Sequence, residues 1–169
     1  MNETLDLILE HLKQNYVTSS QINKLNEDGN SVFTAFLEYY YNDLDSLNKQ
    51  DKEQFLQFDI EDRLDLKDVI FYFLNTSADF DLFMDVNEKS KPALAVAVEN
   101  NDYFMVKFLL TNNANPNVYT KKITIGGSVF YTNKLLEYIN KEIEKNQTSH
   151  TLKEIRKILL HFGAHEEIE

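Results

Sequence analysis

Three segments of this chain close in the same way. They are Tyr72-Phe73-Leu74-Asn75-Thr76-Ser77-Ala78-Asp79, Phe108-Leu109-Leu110-Thr111-Asn112-Asn113-Ala114-Asn115 and Ile158-Leu159-Leu160-His161-Phe162-Gly163-Ala164-His165. Each has three apolar residues, two spacers, a small or turn-tolerant residue, then alanine, then a polar residue. Val69-Ile70, Met105-Val106 and Ile155 precede them, so the apolar positions recur at the spacing of one helix face. The sixth position must turn the chain at positive φ, where Gly, Asn and Asp are best tolerated. A helix pair of this kind cannot bury its apolar face alone.

The remaining periodicity is also helical. Leu5, Ile8, Leu9 and Leu12 predict an amphipathic helix from Glu3 to Tyr16, and Ser19 or Ser20 is placed to cap a short second helix carrying Ile22 and Leu25. Asn26-Glu27-Asp28-Gly29-Asn30 is a turn signal. An apolar stretch follows from Val32 to Tyr41, then a polar one from Asp43 to Phe58 with Leu44, Leu47, Phe55 and Leu56 at helical spacing. Leu64–Leu74 is apolar on most sides. Pro92 opens a helix running to Asn100, and Tyr103–Leu110, Thr132–Lys145 and Leu152–Phe162 complete the set, with Gly163 as a stop. Lys122–Tyr131 differs: Gly126-Gly127 between two β-leaning runs reads either as a short hairpin or as a plain loop feeding the next helix. Only four Gly and two Pro argue against a fold with many tight turns.

The three endings resemble the second helix and loop of an ankyrin repeat, V-V-x-L-L-L-x-x-G-A-D-x-N. The middle copy, Pro92–Asn117, is similar to T-P-L-H-L-A-A-E-N-G-H-L-E-V-V-K-L-L-L-E-H-G-A-D-P-N at Leu94, Ala97, Glu99, Asn100, Val106, Lys107, Leu109, Leu110, Ala114, Pro116 and Asn117. It departs at Pro92, Ala93 and Ala95, which stand for Thr, Pro and His and remove the family's Thr-to-His turn. The first copy opens at Asp28-Gly29-Asn30-Ser31-Val32-Phe33, closes over Val69–Asp81 and carries an insertion around Asn42–Arg63. Ala78 to Ala114 is close to the family repeat of about 33 residues, whereas Ala114 to Ala164 is about half as long again. The resemblance implies an all-α, ankyrin-like stack of helix pairs, an α-solenoid with irregular insertions. It forms a single domain over 1–169: a helical cap at 1–27, then units at 28–81, 86–119 and 128–167.

Composition excludes several function classes. Hydrophobic residues make up 43%, so a packed core is expected. Cysteine is absent, which removes disulfides, thiolate metal sites and a Cys nucleophile. No basic segment precedes an apolar core at Met1, and no apolar run approaches a membrane span, so neither a secretory signal nor a membrane partner is expected. A cysteine-free chain of this kind suits the cytoplasm. Lys and Arg number 17 against 28 Asp and Glu, a net charge of −11, which repels nucleic-acid phosphates and attracts a basic protein. His161 and His165 have helical metal spacing, but Gly163 separates them and no H-E-x-x-H accompanies them. The run Asp79, Asp81, Asp85 and Asn87 fails the calcium-loop pattern, with Met84 where Gly belongs and Ser90 where Glu belongs. Gly126-Gly127 lacks the G-K-[ST] of a phosphate loop. No nucleophile–base arrangement stands out, so no enzyme, cofactor or metal is expected.

The resemblance implies a protein-binding concave surface built from turn tips and first helices. On it would lie Glu38 and Tyr39 of the first copy, Glu99, Asn100 and Asp102 of the middle copy, and the segment from Tyr119 to Tyr131. Tyr39, Tyr40 and Tyr41 run consecutively on a helix, point in different directions and cannot all be buried. The expected function is a protein-interaction module. The alternative is an inhibitor resembling bacterial immunity proteins that neutralise a basic toxin by direct binding. The Asn-, Lys- and Tyr-rich usage, similar to that of AT-rich bacterial genomes, suits this alternative.

Overall fold

A computed structural model describes residues 22–81, 91–118, 122–126, 128–131 and 134–166. The expected cap helix Glu3–Tyr16 lies outside them. Among the described residues there are seven α-helices: α1 (Val32–Leu44), α2 (Lys49–Phe55), α3 (Leu64–Asn75), α4 (Ala93–Glu99), α5 (Tyr103–Thr111), α6 (Leu135–Lys145) and α7 (His150–His161). A 3-10 turn, Ile60–Asp62, precedes α3, and two strands, β1 (Lys122–Ile125) and β2 (Ser128–Tyr131), pair antiparallel with Ile123 opposite Phe130. The chain is mostly helical, as its periodicity predicts.

Helix starts follow local capping chemistry. Ser31, Asn48, Asp102 and Ser149 each accept a hydrogen bond from the backbone N–H three residues on, opening α1, α2, α5 and α7. Pro92 stands just before α4. Two expectations shift. The polar stretch after Asp43 is helical only over Lys49–Phe55, because Asp45, Ser46 and Leu47 close the end of α1 by bonding back to Tyr41, Asp43 and Leu44. Leu25 is not helical; the Asn26 side chain accepts from Asp28 N and Asn30 N and ties that segment into a turn, with Gly29 at φ 79°.

The three repeated endings share one geometry. Ser77, Asn113 and Gly163 have φ of 60°, 73° and 95°. Each donates back three residues, to Leu74, Leu110 and Leu160, and the alanine that follows donates back five, to Phe73, Leu109 and Leu159. These two bonds satisfy helix-end carbonyls that would otherwise be orphaned. Asn101, at φ 56°, repeats the device between α4 and α5, with Asp102 N donating to Ala97 O.

Helices α4 and α5 pack together, as do α6 and α7; α4 also packs against α1 and α6, and α5 against α7. Ala93–Val98, Met105, Val106, Leu109 and Leu110 are all buried, so the middle pair sits at the centre of the core. The apolar triplets do not all behave alike. Phe73, Leu109, Leu110 and Leu159 are buried, but Leu160 is 48% exposed. Among the described residues no helix follows α7 to cover it.

Side chains tie successive endings together. Asn23 donates to Ser77 O (3.1 Å) and accepts from Asp79 N (2.7 Å); Asn117 does the same to Gly163 O (3.2 Å) and His165 N (3.0 Å). Asp81 takes the equivalent place before Asn115, accepting from its N–H at 2.9 Å, but a carboxylate has no donor for the neighbouring Asn113 carbonyl. Burial pushes the Asp81 carboxyl above its usual range; the Asn115 N–H opposes this and the charge of Asp79 adds to it. A carboxyl whose pKa is raised by folding stabilises the fold only at low pH, and that contribution is lost as pH rises through the folded value. Asp81→Asn is therefore expected to stabilise the protein by about 0.5–1.5 kcal/mol near neutral pH, by completing the bond and removing the half-buried charge. The gain should shrink at acid pH, as the carboxyl takes up its proton at its raised folded value. Thermal melts of both proteins at the two pH values check the sign.

Candidate functional site

The expected partner-binding residues fall into three groups. Glu38 and Tyr39 lie on the outer part of α1, and Glu99 and Asn100 at the end of α4, which packs beside it. Asp102 is buried. Tyr119 lies outside the described residues, and Tyr131 is known as the last residue of β2, opposite Lys122.

The first group forms an acidic face. Lys91 Nζ lies 2.9 Å from a Glu99 carboxylate oxygen. Glu38 is half-buried, and its carboxyl is raised above the usual range chiefly by burial; the Lys91 charge opposes this, while Asp28 and Glu99 add to it. Glu38, Glu99, Asp28 and Lys91 are thus close enough to sense one another across α1, α4 and the turns preceding them. The next helix in the row contributes Tyr138, whose hydroxyl is pushed up to about 12 by burial and by the charges of Glu142 and Glu99. Carboxylates outnumber cations on this face, and Tyr39 stands beside it at 42% exposure. Asn100 is half-buried and its amide donates to Val96 O at 2.8 Å, so it helps to close α4. The three consecutive tyrosines divide as their helical spacing requires: Tyr40 and Tyr41 are 1% and 2% exposed, and only Tyr39 faces outward.

Asp102 corrects the sequence reading, which placed it on the binding surface. Its side chain is fully buried and receives a bidentate ion pair from Arg63, at 2.7 and 2.8 Å. Tyr41 donates to the same carboxylate at 2.8 Å and Met105 N at 3.2 Å, so Asp102 also caps α5. Arg63 uses two further donors on Phe58 O (3.0 Å) and Leu56 O (3.1 Å), and its guanidinium lies 5.6 Å from the centre of the Phe55 ring. Burial works against its charge, but the hydrogen bonds and charge of Asp102 outweigh that and raise its pKa. Burial and the facing carboxylate likewise hold the Tyr41 hydroxyl well above its ordinary pKa, so it stays a donor. Arg63 is the last residue of the insertion, and this network fastens Leu56–Arg63 to the middle helix pair. Sequence reasoning missed Arg63. The available signal was the place of Asp102 immediately before an apolar helix, where a carboxylate is a cap rather than a free surface charge.

Among the described residues, no three His, Asp or Glu side chains are grouped to hold a metal ion, and no helix is long and apolar enough to cross a membrane. No family model matches the chain, and neither a curated protein nor a solved structure matches it significantly.

Proposed function

We propose that this chain is an ankyrin-like stack of helix pairs that binds a basic protein through the face of α1, α4 and α6. The observation that carries the reading is the Glu99–Lys91 ion pair at the end of α4, with half-buried Glu38 and exposed Tyr39 on α1, the helix packed beside it. Three further facts support the stack: the shared turn geometry at Ser77, Asn113 and Gly163, the Asn23 and Asn117 links, and the row in which α1, α4 and α6 follow one another. A face with surplus carboxylates steers a cationic partner, and an exposed tyrosine beside it offers an anchor that fills a pocket with little loss of side-chain freedom. The module acts by binding rather than catalysis, uses no cofactor and works in the cytoplasm.

Affinity capture followed by mass spectrometry identifies the partner, and calorimetry at two salt concentrations tests the surface. Binding should weaken with salt, because opposite charges steer encounter and screening shortens to about 8 Å at physiological ionic strength. Tyr39→Ala should weaken it by about 2 kcal/mol or more, and Glu99→Ala by less, since rim charges contribute little. If salt and both substitutions leave affinity unchanged, the surface lies elsewhere.

A further inference from the structure

Where the acidic face ends, the last helix pair presents a second surface of opposite character. Leu136, Asn140, Arg156, Leu160, Ala164, His165 and Glu166 line an open groove of about 570 Å³. Its floor is apolar, with Leu160 and the adjacent Phe162 48% and 39% exposed. Lys153, Arg156 and Lys157 precede Leu160 at spacings of seven, four and three residues, so all four share one stripe of α7. No carboxylate among the described residues forms an ion pair with any of the three cations.

The repeated endings say what this stripe lacks. Counting back from the shared turn, Leu160 is the counterpart of Leu110 and Arg156 that of Val106. Leu110 and Val106 are 2% and 0% exposed, on the helix α5 that packs against α7. At the last pair the position of Leu110 stays apolar but uncovered, and the position of Val106 carries a charge. A segment lying on α7 as α7 lies on α5 would have to be apolar opposite Leu160 and anionic opposite Arg156.

We propose that this groove docks an acidic amphipathic helix from a partner protein, with a large apolar side chain over Leu160 and Ala164 and carboxylates on Arg156, Lys153 and Lys157. Charge selects the occupant: Arg156 in the groove and Lys153 and Lys157 along the same stripe repel a basic segment, the lining carboxylate of Glu166 is engaged by the Asn140 amide at 2.8 Å, and the apolar floor favours a protein over a polyanion such as nucleic acid. From α6 this groove takes Leu136 and Asn140, whereas the acidic face takes Tyr138 and Glu142.

The test uses the full chain and two labelled synthetic helices, each with leucines three and four residues apart and the other positions either Glu or Lys. Fluorescence anisotropy should show the Glu helix binding at the groove, while any binding of the Lys helix should fall on the acidic face and be unaffected by the groove variants. Arg156→Glu and Leu160→Asp should each weaken the Glu helix about tenfold or more, and Glu38→Gln should leave it unchanged. Circular dichroism checks that each exposed substitution leaves the fold intact. No binding of the Glu helix, or less than about a twofold change in its binding with both groove variants, overturns the proposal. So does tighter binding of a labelled DNA duplex, which would make the stripe a phosphate contact. Self-association in sedimentation that Arg156→Glu abolishes would assign the groove to a second copy and contradict the proposal as well.

Discussion

Arg63→Ala should destabilise the protein by about 3–5 kcal/mol, the range for breaking one side of a buried ion pair. The substitution strands the Asp102 carboxylate, whose side chain is fully buried and whose remaining donors are the Tyr41 hydroxyl and Met105 N. It also frees the Phe58 and Leu56 carbonyls that Arg63 holds. A loss of that size is a large share of an ordinary domain stability of about 5–15 kcal/mol. Arg63→Lys should be intermediate, because an ammonium cannot make the two parallel bonds of a guanidinium. Denaturant titration measures the difference. A loss below about 1 kcal/mol would mean that water reaches Asp102 in solution, so that the insertion is not fastened to the middle pair as described.

Leu109→Ala is the second large effect, expected at about 2–5 kcal/mol. Leu109 is fully buried in the middle of its triplet, and its carbonyl accepts the Ala114 N–H that closes the helix. Deleting its side chain leaves a void between α5 and its neighbours that a close-packed interior fills only in part. Leu160→Ala, the exposed residue one place on in the last copy, should change stability by less than about 0.5 kcal/mol. An equal effect of the two substitutions would contradict the register in which the endings are aligned.

What was legible in the sequence was local. The turns at Ser77, Asn113 and Gly163 could be placed because a helix that must reverse needs one residue at positive φ, and the alanine after it repeats. Helical spacing says only that Tyr39, Tyr40 and Tyr41 cannot all be buried, and the packing of α1 decides that Tyr39 is the one left out. The links between units were not legible. Asn23 and Asn117 reach turns far along the chain, and nothing within either segment distinguishes them from solvated loop residues. The Arg63–Asp102 pair is of the same kind: each residue reads as a surface charge until the fold brings them together. Asp102 was misplaced for that reason, and with it part of the expected binding surface. Glu38 and Glu99 stand on one surface only by the resemblance; in the structure they lie on α1 and at the end of α4, which pack together. The exposure of Leu160 was hidden differently, since its triplet is like the others and only its position at the end of the row sets it apart.

Hydrogen exchange of the chain with and without its captured partner tests the proposed binding face most directly. Backbone N–H groups of α1, α4 and α6 should gain protection on binding, centred on Glu38–Tyr39 and Glu99–Asn100, while Lys49–Asp62 stays unchanged. Protection confined to the insertion, or spread evenly over the chain, would contradict binding through that face.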